Sequence, residues 1–332
     1  MVMTSVPAHH LRFGTLQGEG DQMLHRIARL IIVLVLGMSW VAAQPALAGM
    51  PLAWYELLGH WSRLDGVVQD GMVQRTWTWG PMNADGFRSE PYVDAPGNSS
   101  NAEGWRWVYY FDKARMEYNP TSADPLWKVT TGLLAVELIT GQLQVGDTRF
   151  EPHQPAHIPV AGDPDSTVTP TYATMQPLLH AEPLPAGAPI TQTLTADGIL
   201  GNDSDLTAGG TTAVDVGAPT NHTVASVFWD FMNSSGLVAE LDPASGNRNW
   251  VEARLFANPF YATGYPITEA YWTQAKVAGA VTDVLLQCFE RRCLTYAPEN
   301  PAGWQVEFGN IGRHYFTWRY PGEEIPPPTP RP

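Results

Sequence analysis

One stretch of this chain occurs twice, in different words. "YYFDKARMEYNPTSADPLWKVTTGLLAVEL", from Tyr109, aligns with "QCFERRCLTYAPENPAGWQVEFGNIGRHYF", from Gln287, when Phe111 is set on Phe289. Asp112 then falls on Glu290, Lys113 on Arg291, Met116 on Leu294, Tyr118 on Tyr296 and Pro120 on Pro298. One inserted residue in the first copy brings Trp127 onto Trp304, Val129 onto Val306, Gly132 onto Gly309 and Leu134 onto Ile311. Upstream, "SEPY" (Ser89 to Tyr92) answers "TEAY" (Thr268 to Tyr271), and Gly66 answers Gly236. Matches in one order over roughly 75 residues point to two copies of one unit, and a repeated unit limits the fold to architectures that can be built twice.

Each copy is expected to open on a helix. Leu57, Leu58, Trp61 and Leu64 make an apolar stripe that Gly66 would end. In the second copy Thr223 would cap a stripe of Val224, Val227, Phe228 and Phe231 that Gly236 would end. "DVLLQCF" and "CLTYAP" are rich in β-formers and separated by turn residues, so they read as short strands. Gly132 and Gly309 then introduce a shorter helical pattern. The expected fold class is α+β, with helix, hairpins and helix in each unit.

This gives a first unit over 49–151, a linker or surface strap over 152–189 that carries nine prolines, a second unit over 190–320 and a proline-rich tail over 321–332. "ITQTLTADGILG", from Ile190, alternates apolar and polar residues and reads as an added hairpin.

Residues 1–48 read as a targeting segment. Arg26 and Arg29 precede the apolar run Leu30 to Met38, and Ala46-Leu47-Ala48 has the small residues of a cleavage site; Met23 is a plausible initiator. The run is short for a membrane span, which needs about 20 residues. The expected mature chain begins at Gly49, is secreted or held at the cell surface, and has no membrane partner. The whole chain has 19 basic and 33 acidic side chains. Three basic and two acidic ones fall in the leader, which leaves a net charge of −15. Such a chain repels phosphate backbones, so nucleic acid is not an expected partner.

The second copy resembles the LGFP repeat, a module of exported bacterial proteins with a G-x-P-x-x-E opening, here Gly264, Pro266 and Glu269. Its later stretch is matched by Phe289, Tyr296, Pro298, Val306, Gly309 and Ile311. The whole mature chain also resembles a group of uncharacterised exported bacterial proteins that share the wording "GYPITEAYW" and "FERRxLTYxPxNPxGW". The resemblance implies a cell-envelope protein associated with wall polysaccharide or peptidoglycan. Two features depart from the module: the charges Glu290-Arg291-Arg292, where it has a small-residue turn, and the helical lead-in.

No nucleophile elbow, zinc-protease motif, phosphate loop or dinucleotide fingerprint occurs, so no cofactor or metal is expected. His222 and His314 have no partner at metal-ligand spacing in the sequence and read as packed or capping residues. Glu90 and Glu269 fall at matching places in the two copies. They are either helix-opening caps or, with His222, the acid and base of an exported hydrolase that works in a cleft between the units.

Trp77, Trp79, Trp105, Trp107 and Trp272 lie in turn-rich stretches and are candidates for stacking on sugar rings. Cys288 and Cys293, the only cysteines, would face each other in a tight hairpin but point to opposite faces of one continuous strand. The favoured reading is a non-catalytic exported binding or cell-surface protein that holds a glycan or cell-wall polymer through its two repeated modules. An unfamiliar hydrolase and a structural surface protein without a small ligand are the alternatives.

Overall fold

The computed structural model describes residues 50–83, 86–97, 102–242 and 247–325. The leader with Met23 and the Ala46–Ala48 site, and most of the proline-rich tail, lie outside the described residues. The architecture is α+β.

The stripe of Leu57, Trp61 and Leu64 is buried on a helix, α1 (Met50–Trp61), which runs on through a π-type turn (Ser62–Gly66) and a last turn to Gln69. Gly66 therefore does not end it, and its φ of −57° is helical. Gly71 does, at φ 71°, a conformation that costs glycine nothing.

Four antiparallel strands follow: β1 (Phe87–Pro91), β2 (Trp105–Phe111), β3 (Ala114–Tyr118) and β4 (Val129–Thr131), in the order β1-β2-β3-β4. The helix α2 (Leu134–Thr140) comes next. A small hairpin, β5 (Gln142–Gln144) and β6 (Phe150–Pro152), leads into the proline-rich stretch.

That stretch is neither a linker nor a surface strap. Val160, Tyr172, Met175 and Leu178 are buried in one core with Leu134 and Leu138 of α2. The short helix α3 (Tyr172–Met175) is fixed by a capping box between Thr171 and Thr174. Ala156 N–H donates to the Leu138 carbonyl at 2.8 Å, which ties the stretch to α2. The prolines restrict the chain without removing the apolar residues between them, and burial of those residues decides where it runs.

The second half begins with the expected hairpin, β7 (Gln192–Leu194) and β8 (Leu200–Asn202). A two-residue pair, β9 (Ala213–Val214) and β10 (Val224–Ala225), precedes α4 (Ser226–Met232). Thr223 does not cap α4, because Val224 and Ala225 are already committed to strand pairing, and Gly236 lies inside a strand. A long hairpin follows, β11 (Ser235–Leu241) with β12 (Arg248–Arg254), and then β13 (Tyr271–Val277), β14 (Ala280–Cys288), β15 (Cys293–Tyr296) and β16 (Val306–Phe308). The sheet order is β16-β15-β14-β13-β7-β8, antiparallel except where β7 meets β13. The helix α5 (Ile311–Arg319) closes the fold.

Cys288 and Cys293 are direct cross-strand partners in the β14–β15 hairpin and form a disulfide, with Cα atoms 4.0 Å apart. Counted from the turn, Tyr110 and Arg115 hold the same positions in β2 and β3.

The described residues form one compact unit, so 49–151 and 190–320 are not separate globules. Trp61, Tyr109 and Phe111 share one core with Phe228, Phe289 and Phe308. Val108, Tyr110 and Leu134 share a second with Tyr271, Leu286 and Ile311. The helix after each four-strand array also reaches the other array. Arg313 N–H in α5 donates to Asp112 at the β2–β3 turn (3.1 Å), and Val136 N–H in α2 donates to Glu290 at the β14–β15 turn (3.3 Å).

Candidate functional site

At the end of the first sheet, where β2 begins and β3 leaves, lies a cleft of about 290 Å³. Alternation along β2 sets Trp105 and Trp107 on one face and Arg106 on the other, and the cleft reaches all three because it sits at the strand ends. Trp105 is 43% exposed, whereas Trp107 is buried against Phe87.

The Arg106 guanidinium lies 4.1 Å over the Tyr92 ring, and its Nη1 donates to Glu117 Oε2 at 3.1 Å. Nε and Nη2 have no acceptor among the described residues. Tyr92 O–H donates to Asp147 Oδ1 (2.8 Å), and Asp147 N–H donates to Asp94 Oδ2 (2.7 Å). Burial and the Asp147 carboxylate both raise the Tyr92 phenol, which stays protonated and a donor. Burial pushes Glu117 up, but Arg106 and Arg115 outweigh it and hold the carboxylate ionised. Asn119, Thr121 and Thr130 add neutral donors and acceptors. The cleft can thus stack one ring face and meet both donors and acceptors on that ring's edge.

The other candidate tryptophans belong to the interior. Trp79 is 1% exposed, with the Arg292 guanidinium 4.9 Å over its ring, and Trp77 packs half-buried against the same core. Trp272 is buried and spends its indole N–H on the Ile190 carbonyl at 3.0 Å, although it lines a second cavity.

Neither glutamate opens a helix, and the two do not form a catalytic pair. Glu90 lies within β1 and is fully buried. Its Oε1 accepts from Tyr110 (2.6 Å) and Tyr320 (2.9 Å); its Oε2 faces Arg115 (3.2 Å) and Arg319 (3.3 Å). Burial opposes its charge, but Arg115, Arg319, Arg106 and the Tyr110 hydroxyl hold its pKa down at about 2. An acid held so low with every oxygen engaged cannot serve as a proton donor near neutral pH.

Glu269 is equally buried and takes hydrogen bonds from Thr223 N–H (3.0 Å), the Thr223 hydroxyl and Leu184 N–H (3.1 Å). His222 Nδ1 lies 3.0 Å from its Oε1, a partner that sequence spacing does not reveal, while Nε2 faces the Leu179 carbonyl at 3.3 Å. The His222–Glu269 contact ties the 179–184 segment to the start of β13, with no exposed edge for a substrate. His314 Nδ1 meets the Tyr172 hydroxyl at 3.0 Å. No group of three metal-ligating side chains occurs among the described residues. No described helix is long and apolar enough to cross a membrane.

Asp94, Asp147 and Asn119 have no signal in the sequence, and Tyr92 enters it only as the end of "SEPY", because the cleft draws on the chain beyond β1, the chain beyond β3 and the turn between β5 and β6. No protein-family model matches the chain, and neither a curated protein nor a solved structure is significantly similar to it.

Proposed function

We propose that this is an exported, non-catalytic binding protein that retains a glycan or cell-wall polymer in the cleft beside Trp105. The observation that carries the reading is the half-exposed indole, fixed in a strand and bordered by Arg106, Tyr92, Asp94 and Asp147. A sugar ring presents an apolar face and a polar edge, and this pairing meets both. Export rests on the leader and on the resemblance to wall-associated modules.

We also propose that the two halves are copies of one unit that complete each other. Four further contacts, which the sequence match does not place, support this reading. Lys113 N–H donates to the Trp79 carbonyl and Arg291 N–H to the Thr263 carbonyl, while Gly80 and Gly264, both at positive φ, press against the two hairpin turns. Asp283 and Leu285 stand six and four residues before Phe289, as Trp105 and Trp107 stand before Phe111. The second half therefore carries no indoles at these two positions, and the reading places retention in the cleft beside Trp105.

The test is sedimentation with insoluble peptidoglycan, teichoic-acid-bearing walls and common glucans. The protein is expected to leave the supernatant with at least one of these and to release no soluble sugar. Recovery in the supernatant from all three, or cleavage of any of them, overturns the reading.

A further inference from the structure

The second cavity, of about 400 Å³, opens beside Trp272, where β7 and β13 part. These two strands pair at a single position, Thr193 with Trp272. Leu194, Leu206 and the Trp272 ring give the cavity apolar walls, and its mouth carries the exposed carboxylates of Asp197, Asp203 and Asp283. Asp197 takes the Thr195 hydroxyl and Asp203 the N–H of Asp205, but none of the three forms an ion pair among the described residues. Thr273 lines the same cavity at 5% exposure, and its hydroxyl has no hydrogen-bond partner among the described residues. A buried hydroxyl left unpaired is costly, so it marks a place where a ligand atom completes the site.

We propose that this cavity binds an organic cation, an ammonium group on a short apolar chain. Carboxylates only accept hydrogen bonds, so the ligand must bring the donors, and an ammonium group brings three with the opposite charge. The apolar walls take the chain. The protein's net charge of −14 raises the local concentration of such cations. A neutral sugar could donate its hydroxyls to these carboxylates but brings no charge to offset them, and the Trp272 N–H is already spent on Ile190. The site thus differs in ligand class from the cleft beside Trp105.

Isothermal titration of the intact chain with hexylammonium chloride at low salt tests the proposal, with hexanol and sodium hexanoate as controls. Saturable one-to-one binding is expected, with both controls weaker by about tenfold or more. The exposed pair Asp197→Asn with Asp283→Asn should weaken hexylammonium binding by about tenfold while the thermal midpoint stays that of the parent. Trp105→Ala should leave it unchanged, which separates this site from the glycan cleft. The proposal is overturned if hexylammonium gives no saturable heat, if hexanol binds equally well, if the double variant binds like the parent, or if Trp105→Ala abolishes binding.

Discussion

The backbone N–H of Arg313 donates to the carbonyl of Asp112, joining residues 201 positions apart at 3.1 Å. The two side chains add an ion pair at 2.7 Å. With its counterpart between Val136 and Glu290, the bond makes each half of the chain supply a helix to the other half.

The first prediction follows from that exchange. Fragments 49–170 and 171–332, produced apart, should each lack cooperative unfolding and a dispersed NMR spectrum, and should regain both when mixed. A fragment that unfolds cooperatively alone would show that the shared cores are dispensable.

Gly312 is the closest point of the exchange. A Cβ there would lie 2.0 Å from the Phe111 carbonyl oxygen and 2.5 Å from that of Ala114, both backbone atoms that cannot swing aside. Gly312→Ala should cost about 3 kcal/mol or more, against the roughly 1 kcal/mol by which alanine normally favours a helix over glycine. The chemical-denaturation midpoint reports it.

How much of this was legible in the sequence depends on distance along the chain. The hairpins around Asp112 and Glu290 and the helices that follow are local, and their β-formers, turn residues and glycines identify them. Register is not local. The match of Glu90 to Glu269 fails because ten positions separate Glu90 from Gly80 whereas five separate Glu269 from Gly264. Glu90 therefore lands opposite Arg106, while Glu269 stops short of β13. Trp105 and Trp107 read as turn residues because their flanks are rich in glycine and asparagine, yet strand pairing claims them.

Acid should weaken the fold through two histidines. Burial, helped by Arg63, lowers His60 from 6.5 to about 4, and burial, with Lys113 and Arg313, does the same to His314. The folded state disfavours their protonation, so this stability is complete above pH 6.5 and is lost as pH falls towards 4. Each can contribute up to about 3 kcal/mol. Asp65, raised to about 6 chiefly by burial, has the opposite sign. The comparison of variant with parent therefore carries the test: His314→Gln should flatten the fall in stability between pH 6.5 and 4, and an unchanged slope would refute it.

Glu90 acts lower on the scale. Its folded value of about 2 lies below the ordinary 4.5, so the stability it gives is present above pH 4.5 and lost as pH falls towards 2. Glu90→Gln should cost about 3–5 kcal/mol at pH 7, because Arg319 loses its carboxylate inside the protein and Arg115 keeps only Glu117. Thermal denaturation at pH 7 and pH 3 should show that the penalty shrinks with acidity.

Replacing Cys288 and Cys293 by Ala should cost about 2 kcal/mol from the lost loop constraint, and more where the small side chains leave space. The urea midpoint should fall while the near-UV spectrum persists. The first hairpin, which carries Tyr110 and Arg115 at the same positions, forms without such a bond.

The two half-exposed and buried indoles should separate cleanly. Trp79→Ala removes a core side chain and should cost about 3–5 kcal/mol, whereas Trp105→Ala should leave the thermal midpoint within a degree or two and reduce retention on wall material. Equal loss of stability in both would place Trp105 in the core.

The exchanged helix also sets a timetable. Chains emerge from the ribosome amino end first, at about 5–20 residues per second. The floor of the first sheet, Val108 and Tyr110, is made some 200 residues before α5 exists to cover it, a wait of roughly 10–40 s at that rate. Throughout that interval the early half is an open, sticky surface, and only completion of the far end lets either half close. If the separate fragments behave as expected above, a chain built in this way stays unfolded until it is nearly whole.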